Sequence, residues 1–220
     1  MTLRARLHRA LWRAGIRHSH VLVLRCLLGP PPRPPGGLEL EELGPADRRI
    51  RELADAFDRR LTDTAIAGRF RHGLRFFVLR SPEQPVATTW VLTAGERFVE
   101  ELGVSFSVPT GALWLRDLFV VPAERGRGRF AALLDAVRAR WPGESVLWSD
   151  LRHGNRPSLR AHLGYGFEVV SRHEVLHLFS QLLIRLRWSS APEPSTVFGA
   201  GRRVVRSGEA YRRFAEARRA

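Results

Sequence analysis

The chain contains no lysine: all 36 of its basic residues are arginine, set against 22 acids. With abundant Ala and Gly, that exclusive use reads as the bias of a GC-rich coding genome rather than as selection for phosphate contacts. Cysteine is nearly absent as well. The single Cys26 excludes an intrachain disulfide and suits a reducing compartment, so a cytoplasmic location is expected, with Cys26 a small buried hydrophobe by default. Long apolar runs are missing. Stretches such as Val21–Leu24 are soon broken by Arg25, far short of the roughly 18–20 residues a membrane span requires. No internal repeat is visible.

What is present is an ordinary soluble composition, 44% hydrophobic over 220 residues, enough for one well-filled core. The net charge of +14 resembles a nucleic-acid signal until it is mapped. Residues 1–37 hold seven Arg and no acid, residues 186–220 eight Arg and three acids, whereas residues 38–185 balance 21 Arg against 19 acids. The excess therefore lies in the flanks. A basic flank with few interleaved aromatics reads as a solvated face, so nucleic acid is not the expected partner and remains an alternative function. Residues 1–17 place Leu3, Leu7, Ala10, Leu11 and Ala14 on one helical face, with Arg4, Arg6, Arg9 and Arg13 elsewhere. Packing onto the domain is expected of this segment; peripheral contact with anionic lipid is the alternative.

Composition divides the chain into a basic N-terminal helix with a proline-rich linker (1–37, including Gly29–Gly37), a main domain (38–188) and a basic C-terminal extension (189–220) that ends in a helix over 208–220. His20–Leu28 reads as a short strand before the linker. In the main domain Leu38–Glu41 alternates as a strand, and Ile50, Leu53, Ala54, Phe57 and Leu61 mark a helix. Leu74–Arg80 and Val86–Leu92 flank a turn and form a hairpin. Phe98–Val108 adds a strand, and Val175–Trp188 is ambiguous between strand and helix.

The stretch with a chemistry is Asp117–Trp141. An apolar strand runs into a loop with Gly126 and Gly128, and then into a helix with a buried face of Phe130, Leu133, Leu134, Val137 and Trp141. Glycines that open a helix expose unpaired amides at its positive dipole end, which is an anion site. A short apolar strand, Val146–Ser149, follows. Then comes Asn155–Phe167, in which Asn155 caps a short helix, Pro157 sits in its first turn, and Gly164 and Gly166 end it.

Two motifs and their order resemble the GNAT superfamily of acyl-coenzyme A-dependent N-acyltransferases. Val120-Val121-Pro122 followed by Arg125-Gly126-Arg127-Gly128-Arg129-Phe130 resembles the family's Q/R-x-x-G-x-G/A loop, with Phe130 where Gly or Ala is usual. Asn155, Ser158, Gly166 and Phe167 resemble its later N-x-x-S and G-F elements; His162 stands where many relatives carry Tyr. The resemblance covers about residues 38–180. It implies an α/β (α+β) fold: a GNAT-like mixed, mostly antiparallel twisted sheet with helices on both faces and a V-shaped splay between the loop strand and the return strand.

It also implies acetyl-coenzyme A as co-substrate and a small-molecule or peptide amine as acceptor. The amides of Arg127, Gly128, Arg129 and Phe130 would hold the pyrophosphate, with Arg125 and Gly126 beside them. Asn155 and Ser158 would meet the cofactor arm. An exposed amide within Leu118, Phe119 and Val120 would polarise the thioester carbonyl. His162 would protonate the departing thiolate, and Asp117 or Glu100 would take the amine's proton, Glu101 being a weaker candidate. Phe130 and His162 also raise the alternative of a fold that binds acyl-coenzyme A without catalysis. Finally, His173-Glu174-Val175-Leu176-His177 matches H-E-x-x-H, a zinc-peptidase alternative that requires a helix there. No metal is expected otherwise.

Overall fold

The computed structural model describes residues 16–29, 36–56, 61–99, 101–178, 182–187, 196–197 and 204–205. Expectations placed on residues 1–15, on the centre of the proline linker, on Glu100 and on the helix over 208–220 lie outside the described residues. The chain order is β1 (Arg17–Leu27), β2 (Glu39–Leu43), α1 (Arg49–Ala56), α2 (Asp63–Arg71), β3 (Leu74–Arg80), β4 (Pro85–Leu92), β5 (Glu96–Val99), β6 (Val104–Ser107) and β7 (Ala112–Val120). It continues with α3 (Arg129–Arg140), β8 (Val146–Arg152), α4 (Arg156–Tyr165), β9 (Glu168–Leu178), β10 (Leu182–Arg187), β11 (Thr196–Val197) and β12 (Val204–Val205).

The main sheet has the strand order β12-β10-β9-β1-β8-β7-β4-β3-β2. Its neighbours pair antiparallel except β7 and β8, which run parallel. Strands β3 and β4 are apolar almost throughout because both of their faces are covered. One face packs Phe76, Val78, Trp90, Trp114 and Trp148 against Ile50 of α1 and Ile66 of α2. The other packs Phe77, Leu113, Leu115 and Leu147 against Leu133, Leu134 and Val137 of α3 and Phe167 beyond α4. The expected mixed, mostly antiparallel sheet with helices on both faces is therefore present.

Local signals behave as read where they are strong. The Asn155 side chain accepts from the Ser158 amide at 3.3 Å, Pro157 lies in the first turn, and Gly166 closes α4 with φ +109°. Helix α2 was not foreseen, although Thr62 is an ordinary N-cap whose side chain accepts from the Ala65 amide at 3.2 Å. The single strand expected over Phe98–Val108 is instead the hairpin β5–β6, which joins β11 in a separate small sheet. Of the ambiguous Val175–Trp188 stretch, the described residues are strand, in β9 to Leu178 and in β10 over Leu182–Arg187.

The largest revision concerns β1. It is longer than the expected His20–Leu28 strand and is an interior strand, paired with β8 on one side and β9 on the other. Val21 and Val23 enter one core while Leu22, Leu24 and Cys26 enter the other. The boundary drawn at residue 38 thus leaves a core strand on its far side. Leu24→Ala should destabilise the protein by roughly 2–5 kcal/mol, as for other fully buried Leu. A urea denaturation curve checks this, and an unchanged midpoint would mean that β1 is peripheral.

Candidate functional site

Strands β7 and β8 pair only from Ala112↔Val146 to Leu115↔Ser149. Both run on, β7 to Val120 and β8 to Arg152. Their outer edges stay bonded beyond that point, since Val120 pairs with Ala87 of β4 and Arg152 with Val21 of β1. The sheet is therefore forked between two intact halves, and backbone groups facing the fork have no strand to bond.

The glycine loop stands at the end of β7. Pro122–Glu124 makes one 3-10 turn, Gly126 and Gly128 take φ +76° and +71°, and α3 begins without a side-chain cap. Among the described residues, none of the amides from Gly126 to Phe130 finds an acceptor. A 12-residue helix directs its dipole to the same place. The Glu124 carboxylate, 5% exposed, accepts from Arg127 Nη1 at 3.1 Å and Arg129 Nε at 2.7 Å. The Arg129 hydrogen bond holds that carboxyl below the usual range. Arg125 Nε donates to the Val120 carbonyl at 3.2 Å, and its guanidinium lies 5.5 Å from the Phe119 ring centre. Phe130 turns toward α4, edge-on to His162 at 4.9 Å between ring centres. Its bulk fills the seam between the two helices and leaves the loop backbone clear.

His162 is 1% exposed. Its Nδ1–H donates to the Ser158 carbonyl at 2.8 Å, so Nε2 is the acceptor and takes the Ser149 hydroxyl at 3.0 Å. Phe167 closes a second side of the ring at 4.9 Å. A donor to a departing thiolate needs an N–H aimed at the sulfur, and this one is spent on α4. The geometry therefore does not support the thiolate-acid role expected of His162. Burial pushes the imidazole below its ordinary value, opposed by the Ser158 carbonyl and by Asp150. Neutral imidazole is the favoured folded form, so stability is full above about pH 6.5 and declines as pH falls through the depressed value. In proton NMR, the His162 ring should titrate below the ordinary histidine midpoint; an ordinary midpoint would refute this placement.

Asp117 sits at an irregularity in β7. Trp90 pairs with Arg116 and Thr88 with Phe119, so Asp117 and Leu118 together face the single residue Thr89. Asp117 has φ +53°, the only positive value at a non-glycine among the described residues. Left-handed backbone costs an ordinary residue roughly 1–2 kcal/mol, less for Asp. Its Oδ2 lies 2.8 Å from Arg69 Nη2 and 3.7 Å from Arg116 Nε. Asp150, near the end of β8, accepts from Arg97 Nε and Nη2 at 2.9 Å each and from Trp114 Nε1 at 2.8 Å. Glu101 pairs with Arg152 at 2.8 Å. Sequence reading missed Arg69, Thr89, Glu124 and Ser149; only the Thr62 cap, which announces the helix carrying Arg69, was available as a signal.

The zinc alternative is overturned by local geometry. Residues 173–177 lie on strand β9, where neighbours alternate between faces. His173 is fully buried against Ser171 Oγ at 2.9 Å, whereas Glu174 lies 3.5 Å from His18 Nε2 and 4.0 Å from His20 Nε2. His20 in turn stacks on His153 at 4.2 Å. Among the described residues no group of three or more potential ligands could hold a metal ion, and no helix is long and apolar enough to cross a membrane.

No protein-family model matches the chain, and no curated protein does. Solved structures do. A candidate GNAT-family acetyltransferase from Novosphingobium aromaticivorans superposes with TM-score 0.50 at 18% identity, covering 74% of this chain and 66% of that one. A conserved protein of unknown function from Staphylococcus epidermidis gives 0.52 at 10% identity, covering 81% and 68%. A GCN5-related N-acetyltransferase from Sphaerobacter thermophilus gives 0.49 at 20% identity, covering 81% and 56%. This chain thus spans between 56% and 68% of the length of those structures. At such identities the likeness establishes the fold alone. That fold is GNAT-like.

Proposed function

We propose that the chain is an N-acyltransferase that moves an acetyl group from acetyl-coenzyme A to an amine of a small molecule or peptide. The observation that carries this reading is the run of acceptor-less amides from Gly126 to Phe130 at the head of α3, beside the fork between β7 and β8. A pyrophosphate matches that donor set. The amides of Arg127, Gly128, Arg129 and Phe130 hold it, with Arg125 adding positive charge. Asn155 uses its carbonyl oxygen on the Ser158 amide, which leaves its carboxamide N–H groups for the cofactor arm. Ser158 serves chiefly through its backbone, as partner to Asn155 and His162.

The thioester supplies an activated acyl carbon. An amide within Leu118–Val120 polarises the carbonyl as the amine nitrogen attacks; the C–N bond forms and the C–S bond breaks. The leaving thiol is acidic enough, with a pKa of about 8–9, to depart near neutral pH without His162. The amine's proton passes to water or to a carboxylate such as Glu100.

Calorimetric titration with acetyl-coenzyme A tests the reading, and no heat at near-millimolar ligand would sink it. Gly128→Val should weaken binding about tenfold or more. There is open space at its Cβ, but φ +71° is a conformation that β-branched residues avoid. Binding without turnover across a broad amine panel would instead favour an acyl-coenzyme A-binding protein.

A further inference from the structure

The irregularity in β7 is tied down from two neighbouring elements. From β4, Thr89 Oγ1 lies 3.2 Å from the Arg116 carbonyl, next to the residue with positive φ, and 3.2 Å from the Trp90 carbonyl, so its one hydroxyl proton is shared between the two strands. From α2, Arg69 reaches the Asp117 carboxylate at 2.8 Å, with side-chain exposures of only 11% and 19%. The Arg69 guanidinium carbon also lies 5.0 Å from the ring centre of Trp90, the residue adjoining Thr89 and itself buried. Helix α2 packs on the sheet face opposite α3. The pair therefore links the far side of the sheet to the strand segment that borders the fork.

A bulge re-aims the residues that follow it. Here those residues are Leu118, Phe119 and Val120, which extend past the last β8 pair at Leu115. We propose that the Arg69–Asp117 ion pair is a brace that sets the bulge of β7, and through it the amides that meet the thioester carbonyl. Asp117 and Arg69 are then positioning residues for acyl transfer, and Asp117 is not the base that deprotonates the amine. A carboxylate working as base must approach the ammonium, whereas this one is oriented by a guanidinium to hold its own backbone in the left-handed region. The inference rests on the acyltransferase reading.

The test uses the full chain, with wild-type binding of acetyl-coenzyme A established first, so that absence of binding overturns the acyltransferase reading separately. Arg69→Gln should lower kcat roughly 10- to 100-fold while the dissociation constant for coenzyme A stays within about twofold, because the loop amides are untouched. Arg69→Lys should recover part of the loss. Asp117→Asn tolerates the left-handed backbone and keeps a polar oxygen of the same reach beside Arg69, so it should cost less than about tenfold and leave the shape of the pH–rate profile unchanged. The double variant should be no worse than Arg69→Gln. In NMR spectra of Arg69→Gln the Leu118–Val120 amides should shift and those of Gly126–Phe130 should not, a readout independent of turnover. If Arg69→Gln fails to fold, Arg69→Lys carries the same NMR comparison.

Loss of more than about 100-fold in Asp117→Asn, with loss of the acid limb of the profile, would make Asp117 the base and overturn the proposal. Unchanged kcat and unchanged amide shifts in the Arg69 variants would overturn it as well.

Discussion

A short parallel ladder governs this molecule. β7 and β8 share the pairs from Ala112↔Val146 to Leu115↔Ser149 and then diverge, while each remains bonded to its outer neighbour. Buried backbone groups demand partners, so such a fork persists only where water or a ligand satisfies the exposed edges. The two halves that flank it are rigid for independent reasons. β4 and β3 hold one half, with Trp90 and Phe77 buried on opposite faces; β1 holds the other through Leu22 and Leu24.

The loop at the mouth of the fork is prepared by the same economy of partners. Arg125 is tied to the Val120 carbonyl, and Arg127 and Arg129 to the buried Glu124, so the three loop arginines are oriented before any anion arrives. Glycine conformations and the uncapped start of α3 leave main-chain donors without acceptors. Preorganised donors of this kind cost little to reorder on binding. The departure at Phe130 fits this arrangement, since its ring packs between α3 and α4, against His162 and Tyr165.

Much of the architecture was legible because it is encoded locally. The loop, the Asn155 cap, the Gly166 terminus and the hairpin of β3 and β4 each depend on a few adjacent residues. The place of β1 was not legible. A proline-rich linker separates it from the rest, and composition cannot say that a strand crosses the sheet to lie between β8 and β9. His162 was misread for a related reason. An imidazole one helical turn from Ser158 reads equally well as an exposed acid or as a sealed structural group, and the choice falls to Ser149 and Phe167, which reach it from other elements. The H-E-x-x-H match failed because period decides which residues share a face, and the stretch is strand.

Neighbouring residues suffice to specify that an anion-binding loop opens a helix after an apolar strand, and that a capped short helix follows. Those features rest on φ preferences, missing caps and the alternation of apolar residues, all properties of neighbouring positions. Long-range packing sets where the ladder between β7 and β8 stops, which strand closes the second half of the sheet, and that Asp117 lies beside Arg69 in a left-handed bulge. Each of these depends on partners distant in the chain, whose approach is set by packing on both faces of the sheet.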